Sequence, residues 1–242
     1  MRSSAASDVY KRQGNKPLGV HFLSRKAKLG HRVFVCAGWQ PGGMESVMRD
    51  RHFYAMLSRM KYINRWGLMR NTQSENICEH SLEVAFIAHA LGIINNEQFG
   101  GCLDAQRMAI LGMYHDVTEI ITGDMPTPVK YYNPLIRDAY REVETVAKNE
   151  LLQGLPDNMR PVYDSVLMET KEEEELWRYV KAADKLSALI KCIEEKRTGN
   201  MDFVSAEKET RKAVTDMHIP EADYFMDNFL PAYEATLDES TN

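Results

Sequence analysis

From about residue 48 onward, apolar residues recur at every third or fourth position, the repeat of a helix with one buried face, and strand-type alternation is absent. Phe53, Met56, Leu57, Met60 and Ile63 predict a first amphipathic helix. Asn76, with Glu79 three positions on, forms a capping box that opens the helix NICEHSLEVAFIAHALGII. The next helix is predicted from Asp104 to Gly123, a glycine suited to a left-handed stop, with Pro126 and Pro128 just beyond. Further helices are expected across 135–152, 157–168, 172–196, 202–217 and 222–235. Between them GDMPTP reads as a rigid turn rather than a helix, because its prolines fix the backbone and remove donors. The predicted fold class is all-α, a helical bundle.

The first 47 residues have a different character. MRSSAASDVYKRQGNKPLG is polar, without periodicity, and lacks a signal peptide's apolar core. HRVFVCAGW reads as one isolated strand without a partner. Residues 1–47 are therefore expected to be an extension, as a leader, an artefact or translated upstream sequence. Met44 or Met48 would then be the start, with the folded domain spanning 48–242.

Composition narrows the possible functions. An apolar fraction of 44% and 27% charged residues suit a globular domain. The net charge of −5 argues against a nucleic acid polymer as partner, which would want a broad basic face, while a small phosphate ligand needs only local cations. No apolar run approaches the ~20 residues of a membrane span, so no membrane partner is expected. Cys36, Cys78, Cys102 and Cys192 form no CxxC pair and read as reduced thiols of a cytoplasmic protein.

Candidate chemistry appears where ionisable residues sit on faces that should be buried. His80 is in register with Val84, Ile87, Ala88 and Leu91; His115 with Met108 and Leu111, with Glu119 one turn on; Asp184 with Trp177, Val180 and Ala188. A buried carboxylate is costly unless it is paired or binds a metal. Each residue also has a plainer reading. His80 fits a satisfied core histidine, Asp116 an exposed helix position, Glu119 a partner for a nearby cation, and Asp184 a partner for Lys181, Lys185 or Lys191. Taken jointly, two imidazoles and two aspartates on apolar helices suit a divalent cation with mixed nitrogen and oxygen ligands.

The order His80, then His115-Asp116, then Asp184 resembles the H…HD…D signature of the HD-domain metal-dependent phosphohydrolases. NRWxLMRN, EHSLxVA and HDxxExxTGDxPTPVKY further resemble the bacterial 5'-deoxyribonucleotidases of the YfbR type, from about Met48 to the C-terminus. One departure is Gly67, where proline would follow Trp66, implying a looser loop and altered substrate grip. The resemblance implies an HD-domain helical bundle and one divalent cation, such as Co or Mn, held by His80, His115, Asp116 and Asp184. It also implies Glu119 as general acid/base and Arg65 as the phosphate-binding, catalytic cation. Arg65, Trp66, His80, Asp116, Asp124, Met125, Pro126, Thr127 and Asp184 would face the substrate, with Asp124 accepting the sugar 3'-hydroxyl and crowding a 2'-hydroxyl.

The implied reaction is hydrolysis of deoxyribonucleoside 5'-monophosphates by a homodimer. Tyr224, Phe225 and Phe229 are candidates for either its interface or the core. Two other readings stay open on the residues alone: a hydrolase of a triphosphate or signalling nucleotide, and a non-catalytic metal- or nucleotide-binding sensor.

Overall fold

The computed structural model describes residues 51–130 and 132–235. The expectations for residues 1–47, including the HRVFVCAGW strand and the start at Met48, lie outside the described residues. The described part is helical, and its β pairing is limited to an isolated antiparallel bridge between Asn64 and Asn76. In chain order the helices are α1 (Phe53–Leu57), α2 (Ile77–Gln98), α3 (Ala105–Tyr114), α4 (Glu119–Thr122) and α5 (Thr127–Lys130). They continue with α6 (Pro134–Gln153), α7 (Arg160–Leu167), α8 (Glu174–Arg197), α9 (Val204–Thr215) and α10 (Pro220–Asn228).

The capping box forms in both directions: the Asn76 Oδ1 accepts from the backbone N–H of Cys78 and Glu79, and Glu79 Oε2 accepts from the N–H of Asn76. Two long predicted helices are broken. The first ends at Leu57 and resumes as a 3₁₀ turn, Met60–Tyr62, because only Phe53 and Met60 of its apolar set are buried. The second breaks after Tyr114, where three-residue bonds such as Glu119 N–H to Asp116 C=O replace the α-helical repeat before α4. Gly123, at φ 72°, still ends α4 as expected. Part of the predicted rigid turn is helical, since Thr127 and Pro128 open α5.

The core falls into two clusters. One joins α2, α3, α8 and α10 through Leu91, Leu111, Leu186, Ile190 and Phe225. The other joins α1, α6 and α7 through Phe53, Leu151 and Leu167, and takes in Val117 and Ile120. The break after α3 thus carries the chain from one cluster to the other, and the predicted acid-imidazole residues lie at that crossing. Glycines let α2 and α3 approach closely: a Cβ on Gly92 would lie 2.8 Å from that of Ala105, and one on Gly112 would lie 3.1 Å from the Ala85 Cα. Of the aromatic residues considered for an interface, Phe225 is core, Tyr224 is partly buried and Phe229 is exposed.

Contrary to the sequence expectation, α2 is long and apolar enough by length and composition to cross a membrane, with mean hydropathy 1.4. It is, however, a core helix: 56% of that window is buried inside the protein. Cys78, Cys102 and Cys192 are free thiols.

Candidate metal centre and nucleotide pocket

His80 sits in the first turn of α2, so the capping box that fixes the start of the helix also fixes its ring. Its residual exposure is 1%, and the apolar residues in register with it are buried, as the sequence predicts. His115 ends α3, and its Nδ1 lies 2.7 Å from the Gly112 carbonyl oxygen, which can only accept. That bond places the ring proton on Nδ1 and turns Nε2 inward. Because Gly112 brings the two helices together, the imidazole centroids of His80 and His115 are 5.2 Å apart.

Three carboxylate contacts close the cluster. Asp116 Oδ2 lies 3.1 Å from His115 Nε2 and 3.5 Å from His80 Nε2, and Asp184 Oδ1 lies 3.1 Å from His80 Nε2. Ligand atoms of His80, His115 and Asp116 all lie within 4.8 Å of one another, and Asp184 joins that group through His80. Both inward Nε2 atoms are buried without a hydrogen-bond partner. Two orphaned imidazole nitrogens aimed at one carboxylate, with a second alongside, fit a divalent cation. Buried polar atoms of this kind would otherwise be satisfied within the protein.

The electrostatics favour positive charge at the same point. Burial and Arg65 both act to lower the His80 pKa, yet the carboxylates of Asp184 and Glu75 beside the ring raise it to about 9. Burial would raise Asp116 and Asp184, but the two imidazoles hold both carboxyls well below their usual range. The two carboxylates therefore favour cationic charge at this point, which a proton on His80 supplies and a bound cation would replace.

Glu119 responds in the opposite way. Burial, then Asp116 and Asp124, push its carboxyl up to about 9 against Arg65 and Lys130, and its Oε2 is buried without a partner. The same kind of side chain thus takes two protonation states within a few residues, the usual sign of divided acid and anion roles.

The loop before α2 supplies a guanidinium. Its ends are tied by the bonds Arg65 N–H to Glu75 C=O and Ile77 N–H to Ile63 C=O, both 2.9 Å. Arg65 Nη1 then reaches Glu75 Oε1 at 3.0 Å and His80 Nδ1 at 2.7 Å, and its Nη2 faces Asp184 at 3.8 Å. Trp66 has φ 61°, a strained setting for an aromatic residue, and its indole N–H donates to Glu75 Oε2 at 2.8 Å. The strain sits on Trp66 rather than Gly67, whose φ is not positive and whose missing Cβ would meet nothing within 4 Å. The backbone N–H of Trp66 bonds the Asp124 carboxylate, joining this loop to the turn before α5.

A cavity of about 740 Å³ opens against these two segments. Arg65, Trp66, Asp124, Pro126, Thr127 and Asp184 line it. Met125 does not, nor do His80 and Asp116, which the sequence reading grouped with the substrate-facing residues. Its far wall, from α8 and α9, presents Lys185, Ala188, Ser205, Ala206 and Thr210, none of which the sequence reading placed against a substrate. On α9 these are polar or small residues of an ordinary solvent-facing stripe, so nothing in their spacing marks a ligand. Glu75 was also missed. It lies in an aperiodic loop, and its role shows only when Arg65 and Trp66 fold back onto it.

The comparisons with known proteins agree with this geometry. A family model described as 5'-deoxynucleotidase YfbR-like matches residues 52–233. A 5'-deoxynucleotidase of Vibrio vulnificus is 46% identical over 192 residues, covering 79% of this chain and 99% of the relative. One from Yersinia pestis is 49% identical over 188 residues, covering 78% and 95%. The solved structure of an HD-domain phosphohydrolase from Listeria innocua aligns at a TM-score of 0.67 with 25% identity, over 79% of this chain and 92% of that one. A cyanophage S-2L HD phosphohydrolase, solved bound to dA and one catalytic zinc ion, shares the fold at a TM-score of 0.53 and 18% identity, over 75% and 96%.

Proposed function

The chain belongs to the 5'-deoxynucleotidase YfbR-like family, and on that premise we propose that it is a metal-dependent hydrolase of deoxyribonucleoside 5'-monophosphates. The observation that carries this reading is the pair of unpartnered imidazole nitrogens of His80 and His115 facing Asp116, beside a cavity lined by Arg65 and Asp124.

His80, His115, Asp116 and Asp184 would hold one divalent cation, cobalt, manganese or a similar ion. Such an ion polarises phosphoryl oxygens and makes water more acidic. Arg65, held by Glu75, presents its planar fork to the phosphate and offsets charge that builds as the ester bond breaks. Glu119 holds its proton near neutral pH, so it can deliver one to the leaving 5'-oxygen and recover one from water. Asp124, steadied by the Trp66 backbone N–H, would accept the 3'-hydroxyl and leave no space for a 2'-hydroxyl. Residues 48–242 would form the catalytic domain of a cytoplasmic enzyme.

A second copy of the chain is the partner we propose. Helix α2 is apolar on both faces, and its outer stripe exposes Leu82, Phe86 and Ile93, with Ile110 and Met113 exposed on α3. Exposed apolar side chains of this sort suit a homodimer interface.

The reading is tested by measuring phosphate release from dAMP, AMP and dATP with and without added manganese or cobalt. Metal-dependent release from dAMP, well above that from AMP, is expected. Equal release from AMP would refute the deoxy preference, and no release from any of the three would refute the hydrolase.

A further inference from the structure

The two imidazoles that face Asp116 are held from behind in different ways. His115 Nδ1 meets a backbone carbonyl, which cannot donate, so its tautomer is settled by the fold itself. His80 Nδ1 has no carbonyl against it. Ser187 Oγ lies 3.0 Å away, Arg65 Nη1 2.7 Å and Glu75 Oε1 3.4 Å. A guanidinium only donates, so Arg65 favours the ring form with its proton on Nε2, which would block ligation at that nitrogen.

Ser187 opposes this. It is fully buried on α8, three residues after Asp184, and its hydroxyl donates to Glu83 Oε2 at 2.5 Å. Burial raises the Glu83 carboxyl overall and the Ser187 bond offsets part of that rise, with Glu83 Oε2 as the accepting atom. A hydroxyl has one proton. If it goes to Glu83, the Ser187 oxygen can only accept from His80 Nδ1–H, and Nε2 is the nitrogen that gives up its proton when a cation binds. Glu75 Oε1, 3.0 Å from Nη1 and 3.4 Å from Nδ1, gives the Arg65 proton an acceptor other than the ring nitrogen.

We propose that Ser187, polarised by Glu83, is a positioning residue that keeps the ring proton of His80 on Nδ1 and thereby makes Nε2 available to the metal. Neither residue touches the substrate cavity. The inference rests on the metal site proposed above and adds what determines its affinity. Partners behind a ligating imidazole usually account for 10- to 100-fold in metal affinity.

Zinc affinity of the full chain, measured by competition with a chromogenic chelator, tests it without reference to turnover. Ser187→Ala should weaken zinc binding by about 10- to 100-fold, and Ser187→Thr, which restores a hydroxyl, should recover most of it. Glu83→Ala is the sharper variant. It keeps the Ser187 hydroxyl and its packing but frees that proton to point at Nδ1, so zinc binding should fall here too. A folded Glu83→Ala protein with wild-type zinc affinity would overturn the inference while leaving the metal site standing. Wild-type protein that takes up no zinc would instead overturn the metal site on which it rests.

Discussion

The proposed ion cage and the proposed substrate wall are built on different foundations. His80 and Asp184 project from α2 and α8, long helices whose neighbouring positions Val84, Leu91, Leu186 and Leu189 are almost fully buried. Arg65, Trp66 and Asp124 sit on irregular segments that the core does not hold. Their geometry comes from polar clamps: Glu75 on Arg65 and Trp66, the Trp66 backbone N–H on Asp124, and Glu195 farther out. Glu195, at 1% exposure, accepts from Thr72, Gln73, Lys191 and Asn200 and so pins the loop to α8. The difference teaches where each function can tolerate change. Ligand geometry rests on close packing that resists small movements, whereas substrate grip depends on a few buried hydrogen bonds that a single substitution can release.

The largest effect is expected in the cage. Asp184→Ala should abolish both metal retention and phosphate release while the helix stays folded, and near-stoichiometric metal found by elemental analysis would break the contrast. Glu119→Gln should retain metal and nucleotide yet lower kcat by about 10²- to 10⁴-fold. A rate near wild type would remove its acid/base role. On the substrate wall, Arg65→Lys keeps the charge but loses the planar fork. It should cost about 2 kcal/mol, or roughly 30-fold in kcat/KM, with metal content unchanged.

The smallest effect on turnover, and one that shows mainly in stability, is expected at Glu195. Burial would raise this carboxyl, but hydrogen bonds from Lys191, Asn200 and Thr72 outweigh it and hold the group well below its ordinary 4.5. A carboxyl whose folded value is depressed stabilises the fold above its unfolded value, and that stability is lost as pH falls below it. Glu195→Gln should therefore lower the unfolding free energy at neutral pH by about 3 kcal/mol, because it leaves Lys191 buried without its counter-charge. It should also flatten the loss of stability expected of the wild type below about pH 4.5. Chemical denaturation at pH 7 and pH 4 measures both, and parallel losses in the two proteins would show that Glu195 is not the anchor.

How much of this the sequence reveals follows the same division. Helical periodicity places His80 and His115 on inward faces because burial imposes a repeat that can be counted, whereas Asp184, read in the same way, is 38% exposed at the cavity wall. It also runs α3 and α4 together, since the tight turn at 115–118 keeps apolar residues coming while they pass from one core cluster to the other. The loop carries no repeat. Arg65, Trp66 and Asp124 enter through the family resemblance, and Glu75, Ser187 and Glu195 do not enter at all. Their importance lies in partners up to 123 residues away, such as Thr72 for Glu195, and no local pattern encodes such a pairing.

The central claim is that one ion held by His80, His115, Asp116 and Asp184 is required to release phosphate from a deoxynucleotide. Chelated protein should release none from dAMP, and manganese or cobalt titrated back should restore release in proportion, saturating at one ion per chain. Full release from the chelated protein, or saturation that needs two ions per chain, would contradict it.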